Sequence, residues 1–165
     1  MNPQSPDAAP DFNLRAYLLG TWTVERTLLD RSAGTRGSFT GVVRFTETAD
    51  DGGLRFHEEG TVAWASVPGA PAGTPFTGPA SREYLLRPTG APDTMDMFFP
   101  DGRPFHRMGF GPQSHRDQHW CDPDSYRVNY TRIGPDEFRY EWDVTGPAKD
   151  QLLTSVLRRT PDAAA

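Results

Sequence analysis

Several side chains able to bind charge or move protons fall in phase with apolar residues, where an alternating chain would hide them from water. Arg26 follows Trp22 and Val24 at two-residue steps, Glu58 sits between Phe56 and Gly60, Arg82 and Tyr84 lead into Leu86, and His106 shares its phase with Met108 and Phe110. In an extended chain, residues two apart face the same way, and a charge removed from water needs a partner. Arginine suits an anchoring role because its planar fork meets a carboxylate or phosphate through two hydrogen bonds. Arg26, Glu58, Arg82, Tyr84 and Trp142 are therefore the candidate ligand-binding set, for a small polar, anionic or aromatic molecule. The competing reading is an internal ion pair, Glu58 with Arg26 or Arg82, that fixes strand register and holds no ligand.

The densest chemical stretch is His115-Arg116-Asp117-Gln118-His119-Trp120-Cys121-Asp122-Pro123-Asp124-Ser125-Tyr126. Four readings of it compete. A metal would use His119, Cys121 and His106 with His115, although one cysteine among scattered histidines lacks the usual zinc spacing. Cys121 as a nucleophile would need a base such as His119. Acid–base chemistry by His106 or His119 suits imidazole, which titrates near neutrality, with Tyr84 or Tyr126 polarising a carbonyl. Lastly, His119 is read as a hydrogen-bonded core residue and Asp124 as a turn cap. His106, His119 and Tyr126 are the candidate catalytic residues, and no metal site is assigned.

The elements that must position these groups are short strands. Asp11 is the expected cap of a helix over residues 12–19, which Gly20 stops before the period changes to two. Strands are predicted over residues 21–29, 37–47, 53–64, 81–87, 94–99, 104–110, 119–121 with 125–132, 137–145 and 151–159. The cleanest alternation places Phe138, Tyr140, Trp142 and Val144 inward. About nine or ten strands with one short helix predict a mainly β fold, a closed antiparallel barrel with no exposed edges. Trp22 would plug one end, with Arg158 or Arg159 over its indole. Residues 65–80, rich in Ala, Pro and Gly, read as a long connection, either a lid carrying Phe76 or a surface insertion. Lys149 and Asp150 read as a solvated pair in a hairpin turn, and Asp101-Gly102-Arg103-Pro104 as a turn without chemistry. Residues 1–10 read as a disordered arm, 11–160 as a single barrel domain and 161–165 as a disordered tail.

Composition narrows the function classes. The 165 residues suffice for one core, with 16 Gly and 16 Pro pointing to many turns. A formal charge of −5 without a basic run argues against nucleic acid as a partner. No apolar stretch reaches membrane-spanning length, and residues 1–12 lack the pattern of a secretory leader. The single Cys121 excludes an internal disulfide, so a cytoplasmic home is expected.

The same residues carry a resemblance. Leu19-Gly20-Thr21-Trp22-Thr23-Val24-Glu25-Arg26 resembles the start of a lipocalin-like (calycin) barrel. More narrowly, the chain resembles a bacterial and fungal family of such barrels. The matching pieces are Phe39-Thr40-Gly41, His57-Glu58-Glu59-Gly60, Arg82-Glu83-Tyr84, Gly102-Arg103-Pro104-Phe105-His106, the run from His119 to Tyr126, and the run from Trp142 to Asp150. The resemblance covers nearly all of residues 12–159 and implies a fold. Haem-binding relatives in the wider calycin group would make His106 or His119 axial ligands. The expectations are thus a barrel binding a small molecule, as monomer or homodimer; a cofactor-independent isomerase, cyclase or lyase in the same cavity; and, third, a haem or metal protein.

Overall fold

Strand pairing follows the two-residue alternation almost without exception. The structure, a computed structural model, describes residues 12–48, 51–67, 70–71, 73–110, 124–161 and the backbone of 116–121. The strands are β1 (Gly20–Asp30), β2 (Thr35–Glu47), β3 (Leu54–Trp64), β4 (Phe76–Pro88), β5 (Thr94–Phe98), β6 (Pro104–Gly109), β7 (Arg116–Cys121), β8 (Asp124–Gly134), β9 (Glu137–Thr145) and β10 (Asp150–Arg159). All ladders are antiparallel, in the order β6-β5-β4-β3-β2-β1-β10-β9-β8-β7. Sequence neighbours pair with one another and β1 pairs with β10, so the sheet curls into a nearly closed meander barrel whose seam lies between β6 and β7. No helix among the described residues is long and apolar enough to cross a membrane.

One end is sealed. The helix α1 (Leu14–Leu18) buries Leu14, Tyr17 and Leu18. Such a short helix is held by packing and not by propensity. It is shorter than expected, and its cap is Asn13, whose side chain accepts from the Ala16 amide at 2.9 Å; Asp11 lies outside the described residues. Gly20 adopts φ +118°, a conformation that favours glycine, and lets the chain swing from helix to strand. Trp22 is fully buried and donates Nε1–H to Leu18 O at 2.8 Å. Of the two terminal arginines, Arg159 covers the indole, its guanidinium carbon 4.2 Å from the ring centroid, and it also donates to the Leu19 and Tyr17 carbonyls. Arg158 points outward to Glu25 and Glu137.

Two further sequence expectations change. Residues 76–80 belong to β4, in register with β3 from Trp64↔Phe76 onward, so the connection is shorter than its composition implied. Pro79 is tolerated because β5 pairs with β4 only from Leu85, leaving the outer edge at Pro79 without a ladder. Lys149 reaches Tyr126 Oη at 3.2 Å and Asp124 at 3.5 Å, while Asp150 pairs with Arg31, so Lys149 and Asp150 do not pair with each other. The arm over residues 1–10 and most of the tail lie outside the described residues.

Gly41 and Gly60 sit opposite each other across β2 and β3 on the inner face. A Cβ on Gly60 would stand 2.7 Å from Gly41 Cα and 2.7 Å from Phe39 Cζ, so these two glycines let the strands meet and the Phe39 ring lie inward. Gly60→Val should therefore lower stability by about 1–3 kcal/mol. The expected readout is a lower urea midpoint at unchanged slope.

Candidate functional site

Arg26, Glu58 and Arg82 come from three strands and meet inside the barrel. The β3–β4 register puts Glu58 directly beside Arg82, and Arg26 reaches across from β1. Arg26 grips Glu58 with both ends of its fork, Nη1 to Oε1 at 2.9 Å and Nη2 to Oε2 at 2.7 Å. Its Nε donates to Ser155 Oγ at 2.7 Å. Arg82 adds Nε to Glu58 Oε1 at 2.8 Å. Both guanidinium groups also donate to Tyr140 Oη, Arg26 at 2.6 Å and Arg82 at 3.1 Å. Phe39 covers the Arg26 guanidinium at 5.0 Å from the ring centroid.

Side-chain exposure is 5% for Arg26, 2% for Glu58 and 31% for Arg82, so of the two arginines only Arg82 looks onto open space. Burial pushes the Glu58 carboxyl up, but hydrogen bonding by Arg26 and the charge of Arg82 outweigh it and hold the group below its ordinary value. Burial also works against both guanidinium charges, and the contacts with Tyr140 and Glu58 more than restore them. Two cations on one carboxylate leave a surplus positive charge within the cluster.

The cluster divides two spaces. On the mouth side lies an open cup of about 190 Å³, lined by the three charged residues with Leu28, Phe39, Val62 and Ala80 among its walls. On the other side, an inner cavity of about 20 Å³ is bounded by Arg82, Tyr84, Phe105, His106, Tyr140 and Trp142 among others. That is room for about one water molecule. The interior is thus mostly filled by aromatic rings, and the larger space is the cup.

Tyr84, His106 and Trp142 therefore share a wall of the inner cavity with Arg82. Burial pushes the Tyr84 phenol up. The His106 Nε2 lies 2.7 Å from Tyr130 Oη, and its ring meets Trp142 edge-on. Tyr126 stands at the rim, 6.3 Å from Trp142 between ring centroids, with its hydroxyl bonded by Lys149. The side chains of His119 and Cys121, and all of His115, lie outside the described residues. Among the described residues no three His, Cys, Asp or Glu side chains gather as metal ligands.

Sequence reasoning had not assigned Tyr140, Ser155 or Phe105 to the site. Tyr140 was readable as inward-facing, but only closure of the barrel carries β9 opposite β4. Phe105 is out of phase with His106 and comes inward through an irregularity. The register steps from Met97↔His106 to Phe98↔Pro104, leaving Phe105 as an extra residue on β6.

Removing the carboxylate strands the buried Arg26 and deprives the half-buried Arg82 of its partner, so Glu58→Gln should cost about 3–5 kcal/mol near neutral pH. Because the folded-state pKa lies below the ordinary 4.5, this contribution is complete above pH 4.5 and is lost as pH falls through the lower folded value. Urea titrations of both proteins down an acid series should show their stability difference narrowing only below that point.

The described barrel is similar to solved structures. It is similar to the S-type phycobiliprotein lyase CPES from Guillardia theta, with TM-score 0.57 and 11% identity over 90% of this chain and 92% of that one. It is also similar to a protein of unknown function from the DUF3598 family of Nostoc punctiforme, with TM-score 0.55 and 10% identity over 92% of this chain and 51% of that one. At such identities the likeness establishes the barrel fold. No curated protein matches the sequence. The pattern of a family of unknown function (DUF6314) matches residues 18–159, and the chain belongs to that family.

Proposed function

We propose that this member of the DUF6314 family is a small-molecule-binding barrel whose ligand is a small organic anion, held by Arg82 at the boundary between cup and interior. The observation that carries this reading is the two-to-one ratio of guanidinium to carboxylate in one buried cluster. Glu58 takes three hydrogen bonds from Arg26 and Arg82, and Arg82, the more exposed of the two arginines, also lies close to the Tyr84 phenol. A carboxylate or phosphate arriving through the cup would neutralise the surplus charge in surroundings that exclude much of the water. The apolar walls around it favour a ligand with a hydrocarbon body. A cup of about 190 Å³ is smaller than the roughly 300–1,000 Å³ of sites for drug-sized molecules. The ligand is correspondingly small. A barrel sealed by helix and tryptophan at one end and open to a ligand at the other is a lipocalin-like (calycin) arrangement. The single cysteine fits a cytoplasmic, reducing home.

A second reading draws on the His106–Tyr130 hydrogen bond beside the inner cavity. There the barrel is a cofactor-independent isomerase, cyclase or lyase, with His106 moving a proton while Arg82 steadies developing negative charge. A bell-shaped pH–rate profile on a turned-over substrate would favour it; binding without turnover favours the first reading.

Titration calorimetry with benzoate, short-chain carboxylates and inorganic phosphate tests the anion site. The wild-type protein should bind at least one of them, and Arg82→Gln should weaken that binding about tenfold or more, the worth of a charge-assisted hydrogen bond. Equal affinity in the variant would remove Arg82 as the anchor, and no binding of any anion would overturn the proposal.

A further inference from the structure

The cup holds an uneven count of charges. Arg26 and Arg82 bring two guanidinium groups to it and Glu58 one carboxylate, and no fourth charged side chain lines it among the described residues. The Glu58 carboxyl is ionised at neutral pH, because its two arginines outweigh the burial that opposes its charge. A single positive charge is left to be matched. Beyond the cluster the walls are apolar, with Leu28, Phe39, Val62 and Ala80 among them. Farther along the inward phase of β1 stands Asp30, whose carboxylate is held by the Ser32 hydroxyl at 2.6 Å and the Ala33 amide at 2.9 Å.

We propose that the ligand is a small monocarboxylate with an uncharged hydrocarbon body, and that the cup selects against dianions. This rests on the anion reading and specifies the charge and class of the anion. With one carboxylate on Arg82, the two guanidinium charges are balanced by two negative ones. A second acid group on so short a body would be drawn out of water among apolar walls. Glu58 would repel it from the floor of the cup, and Asp30 stands on the mouthward side. Both costs fall on the second charge alone, which is how a site discriminates between ligands that share their first contact. Room for the body is left beside the anchor. Ala80 is the residue next to Arg82 on the inward face of β4, and it stands opposite Gly60 on β3. Ala80 borders the cup, whereas Tyr84, on the other side of Arg82 in the same phase, borders the inner cavity. Ala80 therefore marks which of the two spaces holds the ligand.

Titration calorimetry on the full-length protein compares butyrate with succinate, which have the same number of carbons and differ in charge. Butyrate should bind about tenfold more tightly, since the added like charge is repelled within a partly enclosed apolar space. Val62→Lys places one more cation in the wall and should bring succinate at least level with butyrate. Ala80→Leu should weaken butyrate about tenfold by filling the space beside Arg82. In the wild-type protein, NMR should show nuclear Overhauser contacts from butyrate methylene protons to the Ala80 and Val62 methyl groups. That measurement places the ligand even should either variant fail to fold. Succinate binding as tightly as butyrate would overturn the selection by charge and leave the Arg82 anion site standing, as would a folded Val62→Lys that keeps the original preference. Bound butyrate without those methyl contacts, or unweakened by Ala80→Leu, would remove the cup as its seat. Binding of neither butyrate nor succinate would overturn this proposal, and with benzoate and phosphate also silent, the anion site too.

Discussion

A carboxylate buried among aromatic rings is stable only because two guanidinium groups come to it from different strands, and much of the interior is arranged around that requirement. Glu58 alone would be neutral or would disrupt the core, since an unpaired charge in such surroundings costs several kcal/mol. Arg26 answers it with a two-pronged grip, and Arg82 with a third hydrogen bond. Each arginine then needs its own acceptors, which Ser155 and Tyr140 supply. The result ties β1, β3, β4, β9 and β10 together through the barrel's centre. A slip of one residue in any of these strands would send its member of the cluster outward.

That arrangement also explains the asymmetry of the barrel. The end covered by α1 is closed with apolar and aromatic packing, with Arg159 laid over Trp22. Charged residues gather farther along, where Arg82 can remain partly open to the cup. The outer face carries its own ion pairs, among them Arg44–Glu59 and the very close Arg55–Glu83. Exposed pairs like these contribute little to stability. The buried cluster is different in kind, because water cannot replace its missing partner.

The seam between β6 and β7 is where the regular pattern gives way. β5 and β6 are short, and β5 meets β4 only near its C-terminal end. The bulge falls in the same region. Where ladders are fewest, side chains can be re-aimed at least cost, and this is where Phe105 enters the aromatic column beside Trp142. A family assignment without a known activity and structural likenesses near 10% identity supply the barrel; the chemistry comes from these local departures from regularity.

Alternation in the chain was enough to settle which side chains of β1, β3, β4 and β9 face inward, because the strand period of two is a local property of the backbone. Trp22, Arg26, Glu58, Arg82 and Trp142 were legible on that ground alone, as was the short helix ahead of Gly20. The Pro- and Gly-rich start of β4 was not, since Pro79 is harmless only on an edge whose missing neighbour is a tertiary fact. Nor could local pattern choose between Arg158 and Arg159 over Trp22, which the terminal register of β10 decides. Tyr140 joins the arginines because barrel closure carries β9 across from β4, and Phe105 turns inward because one residue too many stands opposite Met97 and Phe98. Local periodicity fixes the face of a residue; only the closed register of the whole sheet fixes what it meets there.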